Sequence, residues 1–186
     1  MAYINETLIF AADKIYYTDG EIDLEVMMDW ESSIMQASAN YVCEGGGDIL
    51  EIGFGMGIAA DYIQANSITS HTIVEIHPQV IEKAKAWAIG KPNVTIVEGD
   101  WYDVKDSLST YDGVFYDTWG EEDWSRFGSS IDALVKSKAR VTWWNNNPSA
   151  SSIHAIDRVE YEVIDVDPPS NCYFSSTKYY LPKKQF

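Results

Sequence analysis

Apolar and polar positions along this chain switch repeatedly between two periods, and the switching outlines a fold. Ile49-Leu50-Glu51-Ile52 is a short apolar run that ends in Gly53-Phe54-Gly55-Met56-Gly57, and residues 58–64 then take up small-residue helical spacing. That is a strand over 48–52, a tight glycine-rich turn and a helix. Residues 71–76 are rich in β-branched side chains and predict a second strand, and Pro78 opens a predicted helix over 79–88. Residues 93–97 and 111–117 predict two more strands, 121–136 a helix, and 140–144 a fifth strand. Strands alternating with helices predict an α/β fold built on a doubly wound, mostly parallel sheet.

The two ends of the chain follow other patterns. Ile22, Val26, Met27, Trp30, Ile34, Ala37 and Tyr41 recur at three and four, which predicts a helix over 21–41 that stops at Gly45-Gly46-Gly47. Residues 1–20 mix aromatic and polar positions without a period, and a flexible or lid-like lead-in is expected there. After a helical or loop stretch at 149–155, residues 158–166 and 173–181 have strand character. Asp167-Pro168-Pro169-Ser170-Asn171 joins them as a β-hairpin, which brings the expected sheet to seven strands. One domain over 1–186 suits a chain of this length.

Charge narrows the function classes. The formal net charge is −16, and an acidic surface repels phosphate backbones, so no nucleic-acid partner is expected. Cationic or neutral small molecules are easier to accommodate, although acidity also simply favours solubility. No apolar run is long enough to span a bilayer, and Asn5 and Glu6 interrupt the first residues where a signal peptide would be apolar, so no membrane partner is expected. Cys43 and Cys172 lack metal-type spacing, which suits a reduced, cytoplasmic setting. His71, His77 and His154 are dispersed; no metal site is expected, and His77 is placed in a solvated loop before Pro78.

In open α/β sheets ligands bind beyond the carboxyl ends of the strands. Glu51, Glu75, Asp100 and Asp117 fall at such ends. Glu75 follows the glycine turn by roughly twenty residues, where a carboxylate can accept ribose hydroxyls. Asp100 can accept from an adenine amino group, and Trp101 either packs on the ring or belongs to the core. The glycine turn itself suits a nucleotide-type ligand or an ordinary β-α connection.

Glu51, Gly53, Gly55 and Gly57 spell E-x-G-x-G-x-G, which resembles motif I of class I S-adenosylmethionine-dependent methyltransferases. A longer set is similar to the guanidinoacetate N-methyltransferase family: Val26-Met27-Met28-Asp29-Trp30-Glu31, Gly53 through Ala60, Tyr111 through Thr118, and Pro168-Pro169 with Cys172-Tyr173. The likeness runs from about Glu25 to Leu181. It implies a Rossmann-like methyltransferase sheet, S-adenosylmethionine as cofactor with S-adenosylhomocysteine as product, and guanidinoacetate or a similar small guanidino or amine compound as acceptor. Glu31 and Asp117 match the carboxylates that grip the guanidino group, with Asp117 accepting a proton. Met27, Met35, Glu51, Gly53, Phe54, Gly55, Met56, Gly57, Ile58, Glu75, Ile76, Asp100, Trp101 and Asp117 fall on the cofactor side of the resemblance. Thr118, Trp119, Asn147 and Pro148 fall with Glu31 and Asp117 on the acceptor side.

Departures from the family pattern concern the acceptor more than the cofactor. Trp119 stands in place of a tyrosine, Asp100 in place of an apolar residue, and Ser137-Lys138-Ala139 in place of a Lys-Pro-Gly-Gly turn. The region after Pro148 is short, and the lead-in has little likeness to the family's lid. Three other functions therefore stand beside small-molecule methylation: methylation of another amine or of arginine in a protein, aminopropyl transfer on the same kind of sheet, and cofactor binding without catalysis.

Overall fold

All five strands predicted between the first glycine loop and residue 144 form, and backbone pairing orders them into one sheet. The computed structural model describes residues 3–121, 123–170 and 172–186. In chain order its elements are β1 (Ile9–Phe10), β2 (Lys14–Thr18), β3 (Asp23–Met28), α1 (Ser32–Cys43), β4 (Asp48–Ile52), α2 (Ile58–Gln64), β5 (Ser70–Glu75), α3 (Pro78–Ala88) and β6 (Val94–Glu98). There follow α4 (Trp101–Val104), β7 (Tyr111–Tyr116), α5 (Ser125–Ser130), β8 (Val135–Trp143), β9 (Glu160–Asp165) and β10 (Lys178–Gln185). The large sheet has the order β6-β5-β4-β7-β8-β10-β9. Its first five strands are parallel, and β10 runs antiparallel between β8 and β9. The architecture is the doubly wound α/β sheet ending in a hairpin that the sequence predicts.

Strand alternation splits the core into two layers. Ile49 of β4 and Phe115 of β7 pack with Met35, Ala39 and Val42 of α1 and Ile63 of α2. Their neighbours Leu50 and Val114 point the other way, into a cluster with Trp101, Phe127, Val141 and Trp143. Burying each such side chain stabilises the fold by roughly 1.5–3 kcal/mol. Close approach sets one position sharply: a Cβ on Gly113 would lie 2.2 Å from the Val42 carbonyl oxygen and 2.8 Å from Ile49 Cδ1. Helix α1 can rest on β7 only because residue 113 has no side chain.

Five expectations are corrected. Residues 21–41 are not one helix: β3 occupies 23–28, a 3-10 turn covers Asp29–Glu31, and α1 begins at Ser32. The apolar positions fit both periods, and pairing with β2 (Ile15 opposite Met27, Tyr16 opposite Glu25) satisfies the backbone as strand. Ile22, the first residue of the supposed helical stripe, is exposed. The lead-in is likewise structured, with β1 and β2 joining β3 in an antiparallel sheet whose Ile15 and Tyr17, with Tyr3 and Leu8, are buried.

Over 121–136 the helix shrinks to α5 and a 3-10 turn at Ile131–Ala133, because β8 begins at Val135. Lys136 there ties Asp48 (2.6 Å) to Asp112 (2.7 Å), and Lys138 takes a left-handed φ of 68° where the strand bends. In the hairpin, β10 starts at Lys178, so Tyr173 and Phe174 belong to the connection and not to the strand. Asn171 of that connection lies outside the described residues. His77 is buried, not solvated: Nδ1 accepts the Gln79 N–H and caps α3, and Nε2 lies 3.1 Å from the Glu6 carbonyl oxygen.

Gly113→Ala is expected to lower unfolding stability by about 1–3 kcal/mol, the usual range for overpacking, as read from denaturant midpoints. Ile89→Ala, on an exposed side chain, is expected to change it by no more than about 0.5 kcal/mol. Equal effects would show that the α1–β7 contact is not tight.

Candidate active site

The carboxyl ends of β4, β5 and β7 open into a cavity of about 700 Å³, and β3 forms its opposite wall. Gly53 brings two of those ends together. Its φ is 94°, its N–H donates to the Val74 carbonyl oxygen, and a Cβ there would lie 1.9 Å from the Asp117 carbonyl oxygen. Gly55, with φ 52°, leaves space for Met27, whose Sδ would be 2.4 Å from an added Cβ. These two glycines thus place Asp117 and Met27 at the cavity.

The small antiparallel sheet is fastened over one side of this opening. The Trp119 indole N–H donates to the Glu25 carbonyl oxygen at 2.7 Å, and its ring packs on Tyr3 and Tyr17 with centroids 5.0 and 5.4 Å away. Gln79 at the start of α3 exchanges two hydrogen bonds with the Leu8 backbone. The residue that departs from the family's tyrosine is therefore the one that attaches the lead-in to the site.

On the cofactor side, Glu75 is held by three backbone donors. Phe54 N–H meets Oε2 at 2.9 Å, and the N–H groups of Ile76 and His77 meet Oε1 at 2.8 Å each. A carboxylate offers about four acceptor positions, which leaves room on Oε2 for a ligand hydroxyl. Burial raises the pKa of Glu75, and the three N–H groups oppose the rise. Glu51 is fully buried and lines the cavity. His71 Nε2 lies 2.8 Å from its Oε2 without hydrogen-bond alignment, and its Oε1 has no partner among the described residues. Burial raises its pKa, while His71 draws it down. An orphaned buried acceptor beside a glycine cradle fits the ammonium end of S-adenosylmethionine, and Glu75 fits its ribose.

Asp100 lines the cavity but is already engaged. Its Oδ1 caps α4 through the Tyr102 N–H (2.9 Å) and meets Arg126 Nη2 at 3.3 Å. Trp101 reaches the cavity wall, yet its indole is core: it is buried, T-shaped against Tyr116 and Phe127, and donates to Glu121 Oε2 at 3.1 Å. Met27, Met35, Phe54 and Ile76 also line the cavity. Met56, Gly57 and Ile58 do not; the Met56 N–H instead donates to Met27 Sδ at 3.1 Å.

On the acceptor side, Glu31 and Asp117 both line the cavity, as do Thr118 and Trp119. Burial drives the Glu31 pKa up to about 8, with the nearby Asp117 adding to the rise. Burial likewise drives Asp117 up to about 7, with Glu51 and Glu75 contributing. Asn147 and Pro148 lie outside the lining; Asn147 is bonded to Ser149 and Ser151 within its own loop, and Asn146 takes the place beside the cavity. Sequence patterns did not single out Asn146, Trp144, Glu121 or Tyr173 as site residues. Tyr173 donates to Glu31 from 142 residues away, a contact that no local period signals. Among the described residues no lysine or arginine lines the cavity, and no group of three His, Cys, Asp or Glu side chains is arranged to hold a metal.

A model of the family described as guanidinoacetate N-methyltransferase matches residues 11–141. The chain belongs to that family, and its fold is that of the class I S-adenosylmethionine-dependent methyltransferases. Protein arginine N-methyltransferase 2 of Candida glabrata is 36% identical over 156 residues, which are 77% of this chain and 37% of the relative. The chain spans about a quarter to a half of the length of the curated relatives it matches. Among solved structures, N-methyltransferase NodS from Bradyrhizobium japonicum in complex with S-adenosylhomocysteine has a TM-score of 0.66 at 12% identity, covering 84% of this chain and 87% of that one. Spermidine synthase from Thermotoga maritima has a TM-score of 0.64 at 10% identity, covering 98% and 73%. At such identities the likeness concerns the fold.

A carboxyl whose folded pKa lies above its unfolded value contributes stability that is complete below the unfolded pKa and is lost as pH rises through the folded one. For Glu31 and Asp117 the window runs from about pH 4 to about pH 8. The melting temperature of the ligand-free protein is expected to fall as pH rises across that window, from about pH 4 to about pH 8, as read by calorimetry, and Glu31→Gln is expected to flatten that fall. A mutant curve parallel to the parent's would contradict the burial of an ionising Glu31.

Proposed function

We propose that this member of the guanidinoacetate N-methyltransferase family transfers a methyl group from S-adenosylmethionine to a guanidino nitrogen, with residues 1–186 acting as one methyltransferase domain. The observation that carries the proposal is that two buried carboxylates, Glu31 and Asp117, line one cavity whose described lining offers them no lysine or arginine. A guanidinium is the complementary ligand: a planar cation with N–H groups on two sides.

When bound, S-adenosylmethionine supplies an electrophilic methyl on a sulfonium. The chain's residues would do the rest. Glu31 and Asp117 grip the guanidinium and hold one nitrogen in line with that methyl. As the new C–N bond forms and the S–C bond breaks, the nitrogen loses one proton, and Asp117 is placed to take it. A base poised at about 7 suits that transfer near neutral pH. Positioning lowers such barriers by on the order of 7–11 kcal/mol in favourable cases, more than the base supplies.

The acceptor proposed first is a small guanidino compound such as guanidinoacetate. A second reading, arginine within a protein, draws on two observations. An acceptor carboxylate would meet no lysine or arginine in the described lining. Tyr173 and Asn146 are also exposed at the cavity, where a polypeptide could approach. The name of the fungal relatives, protein arginine N-methyltransferase 2, supports the same reading. No helix among the described residues is long and apolar enough to cross a membrane.

Methyl-labelled S-adenosylmethionine, offered with guanidinoacetate, free arginine, simple amines and arginine-rich proteins, tests the proposal by product mass. Methylated guanidino product is expected, with kcat/KM rising between pH 6 and 8 as the carboxylate pair ionises. Glu31→Gln and Asp117→Asn are expected to lose about 10²–10⁴-fold in turnover while keeping S-adenosylhomocysteine affinity. Fully active variants would overturn the assigned roles, and an aminopropylated product would overturn the reaction.

A further inference from the structure

Glu31 presents its two oxygens unequally. Oε1 accepts the Met28 N–H at 2.6 Å and the Tyr173 hydroxyl, while Oε2 has no partner among the described residues. Met28 closes β3, and Tyr173 comes from the β9–β10 connection, so the carboxylate is clamped between distant parts of the chain. The Tyr173 ring lies 6.2 Å from both Trp30 and Trp144. Trp30 in turn stacks on buried Phe174 at 5.7 Å and 23°. The phenol is thereby fixed, although the residue is 48% exposed and lines the cavity.

Resting on the guanidino reading above, we propose that Tyr173 is a positioning residue of the acceptor site: with the Met28 N–H it fills Oε1 of Glu31 and leaves Oε2 as the oxygen that receives the acceptor. Two donors occupy the two acceptor positions of Oε1, so Glu31 cannot take a guanidinium in a two-oxygen fork. It takes one N–H through Oε2, which leaves the rest of the guanidinium plane to Asp117. That asymmetry decides which nitrogen faces the methyl. Tyr173 keeps its proton throughout the working range, because burial and the adjacent Glu31 push its pKa far above the usual value for a phenol. The other titratable groups around the pair are Asp117 on the same cavity, Tyr179 of β10, whose hydroxyl accepts the Asn145 N–H, and Cys172 beside Tyr173. Of these, Tyr173 is the one that donates to Glu31 and so favours its ionised form.

The test is Tyr173→Phe, which keeps the ring among its aromatic neighbours. Its kcat/KM for the acceptor identified by product mass is followed from pH 6 to 10, with S-adenosylhomocysteine affinity measured alongside. The rising limb is expected to move about one pH unit upward, with the high-pH plateau and cofactor affinity kept. At pH 7 that shift reads as roughly a tenfold loss that alkali restores. An unmoved limb would overturn the inference, and so would a plateau lost at every pH, which marks a packing role alone. Glu31→Gln separates the two levels: if it retains full turnover, the guanidino reading fails, whereas an inactive Glu31→Gln with an unmoved Tyr173→Phe limb removes only the role of Tyr173.

Discussion

Carboxylates crowded together without a cation are the constraint on which the rest of this structure turns. Glu31, Glu51, Glu75 and Asp117 all border one cavity, and burial raises the pKa of each. Such a site is unfavourable when empty and ionised. Each acid is held by a different device: three backbone N–H groups for Glu75, a buried histidine beside Glu51, a backbone N–H and a phenol for Glu31. Asp117 has the fewest such supports and follows directly from β7. The least compensated acid is thus the one best placed to exchange a proton.

The sheet makes this crowding geometrically feasible. Parallel strands deliver their carboxyl ends to one edge, and Gly53 lets the chain beyond β4 touch the chain beyond β7. The lead-in sheet then covers the aromatic side of the opening through Trp119, Tyr3 and Tyr17. Cofactor and acceptor would share a single chamber, in whose described lining there are aspartates and glutamates but no lysine or arginine.

The parallel part of the fold was legible in the sequence because its strands are apolar on both faces and end at glycine or acidic punctuation. Residues 48–52 and 58–64 are bounded as predicted. Legibility failed where two periods fitted the same residues, as in 23–28, and where pairing partners decided the outcome, as in β8 and β10. On the site, Glu51, Glu75 and Asp117 could be placed from strand ends alone. Glu31 needed the family likeness, since an acid beside an amphipathic helix is ordinarily solvent-facing. Trp101 shows the limit of local reasoning: it follows β6 as expected, but its N–H goes to Glu121 and its rings to the core. Asn146, and the contact that brings Tyr173 to Glu31, were reachable only through the tertiary structure.

The most direct measurement of the central claim is proton release on acceptor binding. Protein loaded with S-adenosylhomocysteine would be titrated calorimetrically at pH 7, in buffers of differing ionisation enthalpy, with guanidinoacetate or an arginine peptide, whichever turns over. With Glu31 mostly protonated and Asp117 about half protonated in the empty cavity at pH 7, binding of a guanidinium that needs both ionised is expected to release about one proton per site. Binding with no proton release, or with uptake, would show that the acids of the empty cavity are already ionised and would contradict the account.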